Sequence, residues 1–276
     1  EFSENDLVLK KIRNKTQYKQ SRFDVIVKKE IEKFQMKNTR LEHEDKKYVL
    51  DCFEGALENY LHKKQYFFER DKNTIKPEKG DIVLDCGACQ GDSTIAFGHA
   101  VGKEGRVFAF DPLSSHLDII NYNISQNPDL NIIAVPYGVS DRSLNNSPVN
   151  SQIVDPGFNI NRDKNPPLLK IDDFTNSQLL NKVDFIKMDI QGAELLALKG
   201  SKKSIGEVLG MELEIEFQEL YKKQPMFGEI AKFLNEKEFD FYDFVNLRKW
   251  DRENIFYPEM GQCIFGDGLF LRSPEY

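Results

Sequence analysis

Short apolar runs alternate with helical patterns from about residue 77 to the C-terminal end. Each run is bounded by turn residues, which is typical of buried strands. Strands that alternate with helices at this rhythm predict right-handed crossovers and a doubly wound parallel sheet covered by helices on both faces. The runs are DIVLDC (81–86), RVFAF (106–110), NIIAVPY (131–137), VDFIKM (183–188), VLGMELEIEF (208–217), FDFYDFV (239–245) and GLFLR (268–272).

Residues 4–68 have a different pattern, rich in Lys, Glu and Gln, with apolar positions at helical spacing. They predict two or three amphipathic helices. We therefore divide the chain into a helical extension (1–75), acting as a lid, docking or oligomerisation element, and a domain of residues 76–276. Residues 141–167, rich in Asn, Ser and Pro, predict an irregular excursion over the strand ends. The helical apolar positions are Phe23, Ile26, Val27, Ile31 and Phe34, then Tyr48, Val49, Phe53, Leu57 and Leu61.

Composition restricts the possible partners. The net charge of −7 argues against a nucleic-acid backbone, whose binding depends on an excess of Lys and Arg. No apolar run approaches the roughly 20 residues that a membrane-spanning helix needs. Four scattered cysteines and a start without a signal-peptide pattern predict a cytoplasmic protein. Residues 1–80 have a net charge of +4 and the rest of the chain has a net charge of −11. We interpret the basic N-terminal part as a solvated helical face rather than an anion-binding arm.

The segment VLDCGACQGDST (83–94) combines two motifs. A dinucleotide-binding turn would need glycine where Cys89 and Asp92 stand, so a nicotinamide or flavin cofactor is disfavoured. The spacing D-x-G-x-x-x-G, formed by Asp85, Gly87 and Gly91, suits a ligand with an amino-acid moiety. The carboxylate of Asp85 could accept hydrogen bonds from the ammonium group of such a ligand. Asp111, 20 residues after Gly91, could accept hydrogen bonds from ribose hydroxyls. Together these residues predict an S-adenosylmethionine site.

Cys86 and Cys89 have the C-x-x-C spacing of a dithiol or half of a zinc site. However, Cys86 ends a predicted strand, whereas the first cysteine of a thioredoxin-type centre starts a helix. A zinc site would also need two further ligands at close spacing, and Cys52 and Cys263 are isolated. We interpret both cysteines as small residues that fill space around the turn.

VLDCGACQGDST, VFAFDP, VDFIKMDIQGAELLALKG, EIEFQELYKKQPMF and FLNEKEFDFYDF resemble, in order and spacing, the FkbM family of class I S-adenosylmethionine-dependent methyltransferases. The resemblance spans residues 76–272. It implies a Rossmann-like seven-stranded α/β sheet with the last strand antiparallel, and methylation of a hydroxyl on a sugar, glycan or secondary metabolite. Some relatives methylate nitrogen, so N-methylation remains an alternative. Two further alternatives are that the protein is a non-catalytic binding or assembly module, and that it is one domain of a larger parent chain. The expected cofactor contacts are Asp85, Gly87, Ala88, Gln90, Gly91, Ser93, Asp111, Pro112, Gly138 and Val139.

The acceptor must lie in line with the activated methyl group, and an alcohol must lose its proton. Asp189, at the end of a predicted strand, is the first candidate base, although a helix cap or a partner for Lys187 explains it equally well. Strand alternation puts Glu212, Glu214 and Glu216 on one face.

Asp189 with Glu214 and Glu216 could bind the acceptor directly or, less favoured, hold Mg²⁺ through Asp189 and Glu214. Tyr221 and Gln224 are candidate acceptor contacts. His116 could reach the adenine or the acceptor, but a solvated surface position is favoured.

Overall fold

Helices and strands alternate along most of the described chain. The structure is a computed structural model that describes residues 36–53, 56–61, 63–144, 166–221, 224–249 and 261–274. The strands are β1 (Lys37–His43), β2 (Lys46–Cys52), β3 (Phe68–Arg70), β4 (Asn73–Ile75), β5 (Ile82–Cys86), β6 (Arg106–Phe110), β7 (Ile132–Val135), β8 (Gly138–Val139), β9 (Leu168–Leu169), β10 (Phe185–Met188), β11 (Gly210–Glu216), β12 (Phe239–Lys249) and β13 (Cys263–Arg272). The α-helices are α1 (Ala56–Leu61), α2 (Asp92–Val101), α3 (Ser114–Gln126), α4 (Ile171–Ser177), α5 (Glu194–Lys199) and α6 (Phe227–Asn235), and a 3₁₀ helix covers Ser204–Glu207.

Seven strands of the described chain form one sheet in the order β12–β13–β11–β10–β5–β6–β7. Strands β5, β6, β7, β10 and β11 are parallel, and β13 is antiparallel to both β11 and β12. The predicted Rossmann-like sheet with an antiparallel last strand is therefore confirmed. The order reverses between β5 and β10, which is where open α/β sheets bind ligands.

The two faces of the sheet bury different side chains because successive residues of a strand point to opposite sides. Leu84, Ile186 and Leu213 belong to the core on one face. Val83 and Phe185 belong to the core on the other, together with aromatic and aliphatic residues of the N-terminal segment. Residues 36–75 therefore share a hydrophobic core with the sheet. They cover the face that carries Val83 of β5 and Phe185 of β10.

The prediction of helices is wrong for residues 37–52, which form the antiparallel hairpin β1–β2. Its turn is made by Glu44 and Asp45, both with positive φ, and contains none of the Gly or Asn residues that usually announce such a turn. A tertiary contact stabilises the hairpin: Asp51 exchanges two backbone hydrogen bonds with the side chain of Asn123 on α3, at 2.8 and 2.9 Å.

The predicted helices within residues 4–35 lie outside the described residues, as does most of the predicted excursion, residues 145–165. The role of residues 1–75 as a lid, docking or oligomerisation element stays a prediction. No helix in the described part of the chain is long and apolar enough to cross a membrane.

Candidate functional site

The turn after β5 needs glycine for steric reasons. Gly87 has φ +81°, and a Cβ atom there would lie 1.9 Å from the backbone oxygen of Asp189. Gly91 has φ +83° and immediately precedes α2. The backbone amides of Gly87 and Ala88 both donate to the oxygen of Phe110, at 3.0 Å each. The chain thus turns tightly at the carboxyl ends of β5 and β6, with the backbone of Asp189 against it.

Asp85 lies inside this turn and is fully buried. Its carboxylate accepts hydrogen bonds from the hydroxyls of Ser93 (2.8 Å) and Thr94 (2.5 Å), and Lys187 Nζ lies 3.2 Å from its other oxygen. Lys187 also donates to the oxygen of Gly87 at 2.9 Å. The side chains of Asp85 and Ser93 are thus bound to each other within the turn, and their contact with a cofactor stays a prediction.

Electrostatics favour the charged pair. Burial alone would lower the pKa of Lys187, but the neighbouring carboxylates of Asp85 and Asp189 raise it, and the net effect is a raised pKa. Adjacent strands place these groups side by side, since Lys187 is opposite Asp85 in the register of β10 and β5.

Gln90 joins the turn to the N-terminal hairpin. Its side chain accepts a hydrogen bond from the backbone amide of Phe53 at 3.1 Å and donates to Asp92 at 2.9 Å. Gln90 is buried, so its side chain connects the glycine turn to the N-terminal hairpin and is not exposed to solvent.

The cysteines show no sign of thiolate chemistry. Burial raises the pKa of the Cys86 thiol, and Cys86 is a free cysteine at the end of β5. Cys89 adopts a positive φ of 50° within the turn. No group of three or more His, Cys, Asp or Glu side chains among the described residues is arranged to hold a metal ion.

Asp111 follows β6 and faces the same turn. Its carboxylate accepts hydrogen bonds from the backbone amides of Cys89 (3.0 Å) and Leu113 (2.9 Å), and His116 Nδ1 lies 2.8 Å from it. His116 is therefore buried beside Asp111, and the favoured prediction of a solvated surface histidine is wrong. This contact places His116 on the Asp111 side of the turn.

The remaining predicted cofactor contacts lie near β8. A Cβ atom at Gly138 would be 3.4 Å from the ring of Pro112, so these two residues are neighbours. Val139 is buried and belongs to the main core, where its side chain packs against other apolar residues.

Asp189 lies just beyond the end of β10 and is partly exposed. Gln191 Nε2 donates to one carboxylate oxygen at 2.9 Å, and the hydroxyl of Tyr66 donates to the other at 3.3 Å. Asp189 does not cap the next helix, because α5 starts at Glu194 and the backbone amide of Ile190 is bound by the Glu194 side chain. The helix-cap explanation for Asp189 thus loses support, whereas Asp189 still acts electrostatically on Lys187, whose direct ion pair is with Asp85.

The alternation predicted for β11 is present, and the three glutamates differ in surroundings. Glu212 is buried and accepts a hydrogen bond from the backbone amide of Tyr66 at 3.2 Å. Glu214 is partly exposed, lies opposite Asp267 of β13, and is 3.4 Å from Gln191 Nε2. Glu216 is fully buried, and neither of its carboxylate oxygens has a hydrogen-bond partner in the described structure.

Burial is the main cause of a raised pKa at each of these acids. It raises the pKa of Glu216 to about 8, with Glu194 as the next contributor. It raises the pKa of Glu194 to about 7 and that of Asp267 to about 6, and Asp189 adds to both effects. The pKa of Glu214 is also raised, first by burial and then by Asp189, Glu194, Glu216 and Asp267.

The free energy of unfolding is expected to fall as pH rises from about 4.5, the ordinary glutamate pKa, to about 8, the raised pKa of Glu216. Because the pKa values of Glu194, Glu216 and Asp267 are higher in the folded state, that state holds more protons than the unfolded chain in this range. Their contribution is complete below the ordinary carboxyl pKa and is lost as pH rises through the raised values, at up to about 1.4 kcal/mol per pH unit and group. Urea unfolding at several pH values measures this slope. Glu216→Gln should make it shallower, and a stability that rises over the same range would contradict the assignment.

Tyr221 and Gln224 lie over the turn that follows Asp189. The Tyr221 hydroxyl donates to Gln191 Oε1, and the Tyr221 backbone amide donates to the side chain of Gln224. Gly192, with φ +86°, allows this contact, because a Cβ atom there would be 3.0 Å from the Gln224 side chain. Both predicted acceptor residues are therefore close to Asp189, with Gln191 between them and its carboxylate.

Residues 85–241, more than half of the chain, match the FkbM methyltransferase domain. The chain belongs to the FkbM methyltransferase family. It is an S-adenosylmethionine-dependent methyltransferase, and the family predicted from sequence is confirmed. A comparison with curated protein sequences finds no match.

Solved structures of other methyltransferases share the fold at low sequence identity. Fibrillarin from Aeropyrum pernix, solved with natively bound S-adenosyl-L-methionine, is 12% identical, with 84% of this chain and 82% of that chain covered and a TM-score of 0.45. TYW2 from M. jannaschii, in complex with AdoMet, is 15% identical, with 85% and 86% covered and a TM-score of 0.42. A SAM-dependent methyltransferase from Aquifex aeolicus is 16% identical, with 70% and 84% covered and a TM-score of 0.36.

Sequence reasoning missed four residues at this FkbM site: Gln65, Tyr66, Gln191 and Asp267. Gln65 Nε2 donates to Asp267 at 3.1 Å, and Tyr66 contacts Asp189 and Glu212. Asp267 carried a usable signal, since it is a lone acid within an apolar strand. Gln65 and Tyr66 carried none, because they precede the FkbM match and reach the site only through the fold of the N-terminal segment.

Proposed function

We propose that the protein transfers the methyl group of S-adenosylmethionine to a hydroxyl oxygen of a sugar, glycan or secondary metabolite. The observation that carries the proposal is the Asp189 carboxylate, which is partly exposed at the carboxyl end of β10 and is oriented through both oxygens by Gln191 and Tyr66. A carboxylate fixed in this way beside the glycine turn can accept the proton of an alcohol.

The residues of the turn fit the cofactor. Glycine at positions 87 and 91 lets the turn lie directly against Asp189 and Ile120, and Asp111 offers a buried carboxylate for ribose hydroxyls. When bound, S-adenosylmethionine supplies a methyl group already activated for transfer. Asp85 and Lys187 support the turn from within, and Ala88, Gln90, Pro112, Gly138 and Val139 complete its surroundings.

The chain's own part in the reaction is to orient the acceptor and to take up one proton. Bound S-adenosylmethionine would supply the methyl group to the acceptor oxygen and would keep the electron pair of the broken carbon–sulfur bond. The hydroxyl proton passes to Asp189. Tyr221 and Gln224, held by Gln191 and Gly192, would limit how the acceptor lies over Asp189.

Asp111→Ala is expected to weaken S-adenosylhomocysteine binding by at least about tenfold, since hydrogen bonds to a charged group contribute roughly 1.5–3 kcal/mol. Isothermal titration calorimetry measures this effect. Asp129→Ala is the matched control, because Asp129 is an exposed acid that pairs with Lys103. If the wild-type protein does not bind S-adenosylhomocysteine, the proposed cofactor site is wrong.

Turnover is tested separately with a panel of hydroxyl-bearing glycans and metabolites, by following release of S-adenosylhomocysteine. Normal cofactor binding without product from any acceptor would favour a non-catalytic binding or assembly module. Methylation of amine nitrogen alone would favour N-methyltransfer. We also propose residence in the cytoplasm, which is supported by the low cysteine content, four in 276 residues.

A further inference from the structure

Four carboxyl side chains lie around Glu214, at the ends of β10 and β11, on β13 and at the start of α5. Glu214 is opposite Asp267 in the β11–β13 register, and Glu216 follows two residues later on the same face of β11. Gln191 joins Asp189 to Glu214, at 2.9 and 3.4 Å. Together with Glu194, these residues form what we call the acid cluster: Asp189, Glu194, Glu214, Glu216 and Asp267.

Two buried members of the acid cluster have unsatisfied oxygens. Both carboxylate oxygens of the fully buried Glu216, and Oε2 of the fully buried Glu194, have no hydrogen-bond partner in the described structure. Leaving a buried polar group without a partner costs on the order of 1–3 kcal/mol, and more for a charged one. A protein keeps such groups at a binding site when a ligand completes them.

The described chain does not supply a cation for the cluster. Lys187 acts electrostatically on Asp267, but it already forms an ion pair with Asp85, donates to the oxygen of Gly87 and lies 5.2 Å from the ring centroid of Tyr66. None of the ion pairs formed between described residues involves a member of the acid cluster. A cationic ligand would supply the positive charge that the described residues do not.

We propose that the acceptor carries a protonated amine next to the hydroxyl that is methylated, and that Glu214, Glu216 and Asp267 bind this amine. The proposal rests on the proposed methyl transfer and names its substrate class, an amino sugar or a similar amino alcohol. Asp189, at the edge of the cluster, is left to take the hydroxyl proton.

An ammonium group places weaker geometric demands on the acids than a metal ion does. No three metal-binding side chains in the described residues converge closely enough for a metal, and Mg²⁺ demands ligands at about 2.0–2.1 Å. An ammonium group has three N–H donors that reach oxygens at about 2.7–2.9 Å, so it spans a wider set of carboxylates. The raised pKa values of Glu194 and Glu216 fit this assignment, because protons occupy these acids when no cation is bound.

Paired probes that differ by acetylation of one or two nitrogens, which removes their positive charge, test the proposal. We would use glucosamine with N-acetylglucosamine, and 2-deoxystreptamine with its diacetylated form, in the presence of saturating S-adenosylhomocysteine. Ligand-observed saturation-transfer NMR measures each affinity. The amine of at least one pair is expected to bind at least tenfold more tightly than its acetylated partner.

Glu216→Gln and Asp267→Asn should reduce this preference to less than threefold while S-adenosylhomocysteine affinity stays unchanged. Glu104→Gln is the matched control, since Glu104 is exposed just before β6, at the amino ends of the parallel strands. Equal or tighter binding of the acetylated probes, no binding of either member of both pairs, or an amine preference that survives Glu216→Gln would overturn the inference. Loss of S-adenosylhomocysteine binding by wild-type protein would instead count against the proposed methyl transfer.

Discussion

Asp189→Asn is expected to slow methyl transfer by about 10²- to 10⁴-fold, the usual range for a positioned general base. Asparagine keeps the size of the side chain but cannot accept the proton of the acceptor hydroxyl. Cofactor affinity should stay within a few fold, because the backbone of Asp189, which lies against Gly87, is unchanged. Single-turnover measurements with an acceptor from the panel report the rate of the chemical step.

Asp129→Asn provides the control for this substitution, since it removes the same charge from an exposed position paired with Lys103. It should leave the rate unchanged. An Asp189→Asn enzyme with full activity would remove Asp189 from the mechanism. Its carboxylate would then serve only to orient Gln191 and Tyr66.

Lys187→Met is expected to destabilise the protein by about 3–5 kcal/mol, the range for breaking a buried ion pair by removing one partner. Methionine fills similar space but leaves the fully buried Asp85 carboxylate with only the hydroxyls of Ser93 and Thr94. The oxygen of Gly87 also loses a donor, so S-adenosylhomocysteine should bind more weakly. Denaturant unfolding and calorimetry measure the two effects.

The double variant Asp85→Asn with Lys187→Met tests the cause. Without a charge on Asp85, the loss of Lys187 should cost much less, so the double variant should be more stable than Lys187→Met alone. Lys103→Met removes an exposed lysine from a solvated pair and should change stability little. If the double variant is no more stable than Lys187→Met, packing around Lys187 rather than charge governs the effect.

Local periodicity was sufficient to predict the sheet and the turn. A buried strand is marked by a short apolar run, and a tight turn by glycine at positions such as Gly87 and Gly91, so the information lies within a few neighbouring residues. The same holds for the alternation of Glu212, Glu214 and Glu216. The family could be recognised because these local signals follow one another in a fixed order.

The hairpin β1–β2 could not be predicted in this way. Its turn at Glu44 and Asp45 lacks the usual residues, and its strand Lys46–Cys52 is fixed by Asn123 and by burial against the sheet, both remote in sequence. The apolar positions there fit a helix and a strand almost equally well, and the tertiary contacts decided between them.

The sequence by itself determined the sheet, the cofactor turn and the acids at the strand ends. Only the tertiary structure decided which polar groups are paired. Strand register places Lys187 beside Asp85, and the fold of the N-terminal segment places the Tyr66 hydroxyl next to Asp189. Pairing of this kind depends on burial and on contacts between residues more than 100 positions apart. The physical reason is that a residue's neighbours along the chain fix its local conformation, whereas its charge partners are fixed by how the whole sheet packs.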